Sequence, residues 1–261
     1  MSQQRYYTTQ LQAGLGLLEE TRQLLQVYQP GMSVSQLYEA ALASGRFPLV
    51  TARRLRNIVV ECFAPRYMRD PYVAARLKSL VDRFTTAELN QLLFIYTARA
   101  NLVLADFVRE VYWARYSAGR NDLQLEEART FVANILREGK TQKPWSETTI
   151  KRISSYLMGC CADYGLLTTT GRNQRSIAAY RILPKVAAYL AYDLKFSGLG
   201  DNQIVSSSDW DLFGLERTDV RDQLKRLSLQ GLLIFQAASD VVHIGWTYKS
   251  MEELIDVIAQ S

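Results

Sequence analysis

Along the first two thirds of the chain, apolar residues return every three or four positions, the spacing of amphipathic helices. A pattern that begins at Leu11 continues from Thr21 to Tyr28 and stops at Pro30-Gly31. Ser33 then caps VSQLYEAALA, with Val34, Leu37, Ala41 and Leu42 on one face. After SGRFPLV, Thr51 caps ARRLRNIVVECF, whose Leu55, Ile58, Val59 and Phe63 turn inward and leave Arg53, Arg54 and Arg56 outside. Two short helices with a basic second member form a helix-turn-helix candidate, a permissive pattern that many helical hairpins share.

Asp70-Pro71 punctuates the chain before a helix over YVAARLKSLVDRF. Thr85 or Thr86 caps the next run, AELNQLLFIYTARANLVLADFVREVYWARY. Read as one helix of about thirty residues, it is apolar almost all round near its middle and belongs inside a bundle. Tyr96, Tyr112 and Trp113 are therefore assigned to core, not to base-stacking platforms. A turn at Gly119-Arg120-Asn121-Asp122 leads to LQLEEARTFVANILREG, an amphipathic helix ending at Gly139, and then to the polar connector KTQKP.

The next segment, PWSETTIKRISSYLMGCCADYGLL, has a Ser146 cap and Glu147 in its first turn. Ile150, Ile153, Leu157 and Cys161 line one face and predict a core-facing stripe, while Lys151 and Arg152 lie near the N-terminal end with Thr148, Thr149 and Ser155. That end is where recognition helices reach base edges or phosphates. LLTTTGRNQRSIAAYRIL then predicts a β-hairpin with Arg172, Asn173 and Arg175 about its tip. Helix, Gly-Leu-Leu, strand, basic loop, strand is a winged-helix order.

Pro184 starts KVAAYLAYDLKFSG, and the order then repeats. DWDLFGL is a short helix, Thr218 caps DVRDQLKRLSLQ, Gly231 ends it, and LLIFQAASDVVHIGWTY reads as strand, Ser239-Asp240 turn, strand. ADYGLL and SLQGLL both place Gly-Leu-Leu after the helix, and a simple bundle needs no hairpin there. The second copy offers Arg217, Arg221, Lys225 and Arg226, offset by Asp219 and Asp222, so protein contact suits it as well as DNA contact. The expected fold is mainly α: a helical bundle with helix-turn-helix and winged-helix elements and short β-hairpin wings. Its regions are 1–83 with the helix-turn-helix candidate, 84–183 with the first winged element, and 184–261 with the second.

Charge sharpens this picture. Arg46 to Arg83 holds nine Lys/Arg against three Asp/Glu, and Arg137 to Lys185 the same, although the whole chain is only +5. Solvated helix faces would give either window alone; two together favour a polyanion partner, because neutralising phosphates releases counterions. Three cysteines, two of them adjacent, and one histidine support neither a disulfide framework nor a zinc site, and a reducing cytoplasm fits best. MSQQRYYTTQ lacks the apolar core of a signal peptide, and the most apolar run, from Leu92, is broken by Arg99, Asn101 and Asp106, so no membrane span is expected. No phosphate-binding loop, nucleophile elbow or metal motif occurs; His243 alternates within a strand, and GLG at Gly14 to Gly16 lacks a preceding strand. An enzyme is the least supported class, and no cofactor is expected.

TTQLQAGLGLLEETRQLLQVY, QLLFIYTARANLVLADFVREVYW, PWSETTIKRISSYLMGCCADYGLL and SDWDLFGL resemble, in that order and over nearly the whole chain, the BrxA proteins of BREX phage-defence systems. The resemblance implies a mostly helical, non-enzymatic, double-stranded DNA-binding protein acting with other BREX proteins. Members are also described as inner-membrane proteins and compared with antitermination factors. The resemblance supplies no individual contacts, so the DNA-binding candidates rest on charge and helix position: Arg53, Arg54, Arg56, Lys151, Arg152, Arg172, Arg175, Arg221 and Lys225. A protein–protein scaffold and an antitermination-like RNA-binding factor are the alternatives.

Overall fold

The computed structural model describes residues 6–14, 16–169 and 175–260. It is mainly helical with two small antiparallel hairpins. In chain order the helices are α1 (Leu18–Val27), α2 (Val34–Ala43), α3 (Ala52–Asn57), α4 (Ala64–Tyr67), α5 (Val73–Leu80), α6 (Thr86–Ala100), α7 (Leu102–Phe107), α8 (Trp113–Ser117), α9 (Leu125–Arg137) and α10 (Glu147–Asp163). The first hairpin, β1 (Leu167–Thr169) and β2 (Arg175–Ile177), follows. Then come α11 (Pro184–Phe196), α12 (Asp201–Val205), α13 (Arg217–Leu229), the hairpin β3 (Leu233–Ala238) and β4 (Val241–Trp246), and α14 (Met251–Ile258). The chain forms two compact units, residues 1–78 with 93–180, and residues 79–92 with 181–261.

In the first unit the caps follow the expected chemistry. Ser33 Oγ accepts from Gln36 N while Gln36 Oε1 accepts from Ser33 N, and Thr51 Oγ1 accepts from Arg54 N. Leu37 and Ala41 are buried as predicted, but Leu42 is half exposed. The first apolar run is not one helix: a 3₁₀ turn, Gln10–Ala13, precedes α1. From α3 the backbone passes through a π-helical turn, Ile58–Phe63, directly into α4. Pro65 explains the widening, since it offers no N–H to the carbonyl four residues back.

The thirty-residue helix expected after Thr85 is two. The backbone leaves the helical region at Asn101 (φ −129°, ψ 86°), and the segments on either side, Thr86–Ala100 and Leu102–Ser117, meet at 112°. Asn101 is buried, and its Nδ2 and its backbone N–H both donate to Thr97 O, at 2.9 and 3.0 Å, closing the last turn before the break. Tyr96 and Tyr112 are core as predicted, whereas Trp113 is half-buried, edge-on to Tyr112 and Tyr116. Among the described residues no single helix is long and apolar enough to cross a membrane; this bent pair passes such a test only when joined.

Cys62, Cys160 and Cys161 are free and buried. Burial pushes the Cys160 thiol up to about 12 and raises the other two as well. The fold therefore holds Cys160 protonated: its contribution to stability is full below pH 9 and is lost as the pH rises towards 12. A thiol reagent at pH 8 should titrate no cysteine in the native protein and three after denaturation. Rapid native reaction at any of them would contradict this packing.

The second unit is built on α11, which starts at Pro184 as predicted and packs against α14. Tyr192 ties the unit together: its hydroxyl donates to Leu232 O (2.7 Å) and accepts from Thr247 N and Tyr248 N (3.1 and 3.2 Å). DWDLFGL holds the short helix expected of it, a 3₁₀ helix over Trp210–Phe213. Its Trp210 is fully buried and donates Nε1–H to Ile204 O at 2.8 Å. Glu216, not Thr218, is the N-cap of α13, with Asp219 Oδ2 accepting from Glu216 N at 2.9 Å. Gly231, at φ +74°, closes the helix in the left-handed conformation that favours glycine.

Candidate nucleic-acid interface

Helix α10 is the centre of the candidate site. Ser146 Oγ accepts from Thr149 N at 3.2 Å, which sets the start of the helix. Ile153, Leu157, Met158, Cys160 and Cys161 are buried, so the opposite face is fixed outward. On it Thr148, Lys151, Arg152 and Ser155 are exposed, three and four residues apart, forming one polar stripe over the first two and a half turns. Lys151 makes a loose pair with Glu147 at 3.6 Å, and both side chains are well exposed.

The hairpin after α10 pairs Leu167 with Ile177, Thr168 with Ser176 and Thr169 with Arg175. A third segment joins it: Leu123 N donates to Arg175 O (3.1 Å) and Ile177 N to Asn121 O (3.0 Å), so residues 121–123 run along the outer edge of β2. The sequence pattern puts Asn121 and Asp122 in a turn and Leu123 in the helix that follows, since a single bridge carries no alternation to detect. Arg175 Nη1 donates to Met158 O at 3.1 Å and so fastens the hairpin to α10. Arg172 lies outside the described residues, as does Asn173.

The connector between α9 and α10 is also tied down. Tyr7 N donates to Lys140 O (2.9 Å) and Tyr7 Oη to Asp106 Oδ2 (2.5 Å). Burial, followed by the hydrogen bond to Asp106, raises the Tyr7 phenol above its ordinary range. No local pattern around Tyr7 announces this role.

Arg53, Arg54 and Arg56 project from α3, with Leu55 buried between them. They share the first unit with α10, and that unit holds 22 Lys/Arg against 13 Asp/Glu. The second unit holds 9 against 13. Its candidates have partners within the chain. Arg221 Nη2 donates to Ser239 O at 2.5 Å, and Arg217 Nη2 to Asp240 O and Asn202 Oδ1, both at 3.3 Å. Lys225 Nζ lies 2.9 Å from Asp222 Oδ1 and, through that hydrogen bond, holds the Asp222 carboxyl below its ordinary value. His243 Nδ1 lies 3.5 Å from Asp201 Oδ2, the oxygen that also accepts from Ile244 N. Among the described residues no group of three or more His, Cys, Asp or Glu is arranged to hold a metal ion.

The family model of BrxA matches residues 5–193 of the chain. The chain belongs to the BrxA family. Membership ties it to BREX phage-defence systems, and the match carries α1 to α10 and most of α11. The stretch SDWDLFGL and the second hairpin lie beyond the matched residues, so the resemblance covers less of the chain than its sequence blocks suggested. A solved structure described as an uncharacterized protein from Magnetospirillum magneticum is similar in fold, with a TM-score of 0.58 at 17% identity over 73% of this chain and 95% of that one. No curated protein matches the sequence.

Proposed function

We propose that this BrxA protein is a non-enzymatic, cytoplasmic, double-stranded DNA-binding partner of other BREX proteins, gripping the duplex mainly by its phosphates. The observation that carries this reading is the exposed Thr148–Lys151–Arg152–Ser155 stripe at the N-terminal end of α10, set in a unit with a large basic excess. The order of residues 121–123, α9, α10, β1 and β2 supports a winged-helix reading, with α10 in the major groove and the hairpin on the adjacent backbone. Arg53, Arg54 and Arg56 on α3 supply a second phosphate-binding element, consistent with a helix-turn-helix role for α2 and α3.

The scaffold reading is favoured for the second unit. Its charge balance is acidic, Arg217 and Arg221 brace the turn of its own hairpin, and Leu229, Ile234 and Val241 are exposed. There α13 and its hairpin present a protein-contact surface.

Fluorescence anisotropy with labelled duplex DNA, single-stranded DNA and RNA across a salt series tests the main reading. The expected result is preference for duplex, with log affinity falling linearly against log salt. Preference for structured or single-stranded RNA would point to the antitermination-like role. No binding to any of the three at low salt would leave the scaffold role for the whole chain.

A further inference from the structure

We propose that Arg66, Gly16 and Asp163 are positioning residues that hold the arginines of α3 in a fixed relation to the outward face of α10, so that both elements grip one duplex. The second half of that statement rests on the DNA-binding reading above; the first half stands on geometry alone.

Gly16 is bonded to both elements at once. Its N–H donates to Oδ2 of Asp163, the last residue of α10, at 2.9 Å. Its carbonyl accepts from Arg66 Nη1 on α4 (3.3 Å) and from the Tyr164 hydroxyl just past α10 (3.3 Å). Arg66 Nη2 also donates to Gly14 O at 3.1 Å. Since α4 continues the rod that begins with α3, a displacement of Asp163 is transmitted through one residue, Gly16, to the helix bearing Arg53, Arg54 and Arg56.

A second tie runs beside the first. Tyr67 of α4 and Tyr164 both reach Thr97 Oγ1, at 3.2 and 2.7 Å, and all three side chains are buried. Buried hydrogen bonds of this kind fix a single geometry because any slip leaves a donor or acceptor unsatisfied. The junction also excludes substitution. A Cβ on Gly16 would fall 2.7 Å from Asp163 Cβ, and Leu17 takes a left-handed φ of +51° to turn the chain into α1. Arg66 is 6% exposed, so its charge is committed to this junction and not to a ligand. Gly16 is thus a clasp.

Rigid linkage matters because two phosphate-binding elements held in register bind with an avidity about 10²–10⁴ above either alone, and lose it when their relation is free. Asp163→Ala removes the acceptor for Gly16 N, while Asp163→Asn keeps a carbonyl oxygen there. Neither threatens the fold, because Asp163 is exposed and a carboxylate at a helix C-terminus opposes the dipole.

Spin labels at Arg53→Cys and Arg152→Cys read the relation directly by pulsed dipolar distance measurement, since all three native cysteines are buried. A narrow distance distribution is expected in the otherwise native chain and in Asp163→Asn, and a broadened one in Asp163→Ala. Equal widths in all three would overturn the positioning role. In the unlabelled protein, Asp163→Ala should lose about tenfold or more on a duplex of about 30 base pairs yet about twofold or less on one of about 10 base pairs, with Asp163→Asn near the parent on both. Equal losses on long and short duplexes would overturn simultaneous engagement. Broadening without binding to either duplex would keep the clasp and overturn duplex DNA as the ligand.

Discussion

Replacing Lys151 and Arg152 together by glutamate is expected to weaken duplex binding by on the order of 10- to 100-fold at moderate salt, and to lower the log–log salt slope by about two. Both side chains stand on the exposed face of α10, so each is placed to neutralise a phosphate, and reversal adds repulsion to the lost attraction. The fold has little to lose. Lys151 makes only a 3.6 Å exposed pair with Glu147, worth a few tenths of a kcal/mol, and the like-charge pair created at i, i+4 costs about as much again. Anisotropy titrations in parallel with circular dichroism melts check both halves. Unchanged affinity in a folded double variant would remove α10 from the interface and shift attention to Arg53, Arg54 and Arg56.

The second large effect concerns stability. Trp210→Ala should destabilise the second unit by about 3–5 kcal/mol, since it empties a fully buried indole site and removes its hydrogen bond to Ile204 O. Ile204 O loses the indole donor at 2.8 Å and keeps its bond from Ser207 N at 3.2 Å, and Leu212 and Phe213 on the same 3₁₀ turn lose their seat. Trp210→Phe retains most of the apolar volume and should cost less, about 1–2 kcal/mol, through the smaller ring and the lost indole hydrogen bond. Denaturant unfolding followed by circular dichroism distinguishes the two. A loss below about 1 kcal/mol for the alanine variant would mean that the site collapses or hydrates without penalty.

Much of this architecture is written locally. Ser33 with Gln36, Thr51, Ser146, Pro184 and Gly231 each act within a few residues of where they stand, so the helix ends they set are legible from spacing alone. The stripe of α10 is legible for the same reason: burial of Ile153 and Leu157 leaves Lys151 and Arg152 one direction to point. The break at Asn101 is less so, because one asparagine inside an apolar run does not disturb a period, and only its non-helical backbone shows that the helix turns there. The misplaced start of α13 has a similar cause: Thr218 has a capping side chain, but Glu216 has the reciprocal partner in Asp219.

The clasp at Gly16 was not legible at all. Its partners lie 50 and 147 residues away, and a Gly-Leu-Gly triplet without a strand in front of it has no local meaning. The same limit applies to the candidate contacts. Charge pattern marks Arg53, Lys151 and Arg221 alike, yet the Ser239 carbonyl that Arg221 holds is 18 residues on, across the hairpin turn.

That last bond changes how a mutational scan of α13 would have to be interpreted. Ser239 sits at φ +53°, and Arg217 and Arg221 hold the two carbonyls of the Ser239-Asp240 turn from one side of the helix. Truncating either arginine frees the tip of the hairpin whatever else the side chain touches, so a loss of function there would report a loosened shape as well as a lost contact, and a binding footprint drawn from such losses alone would mix the two.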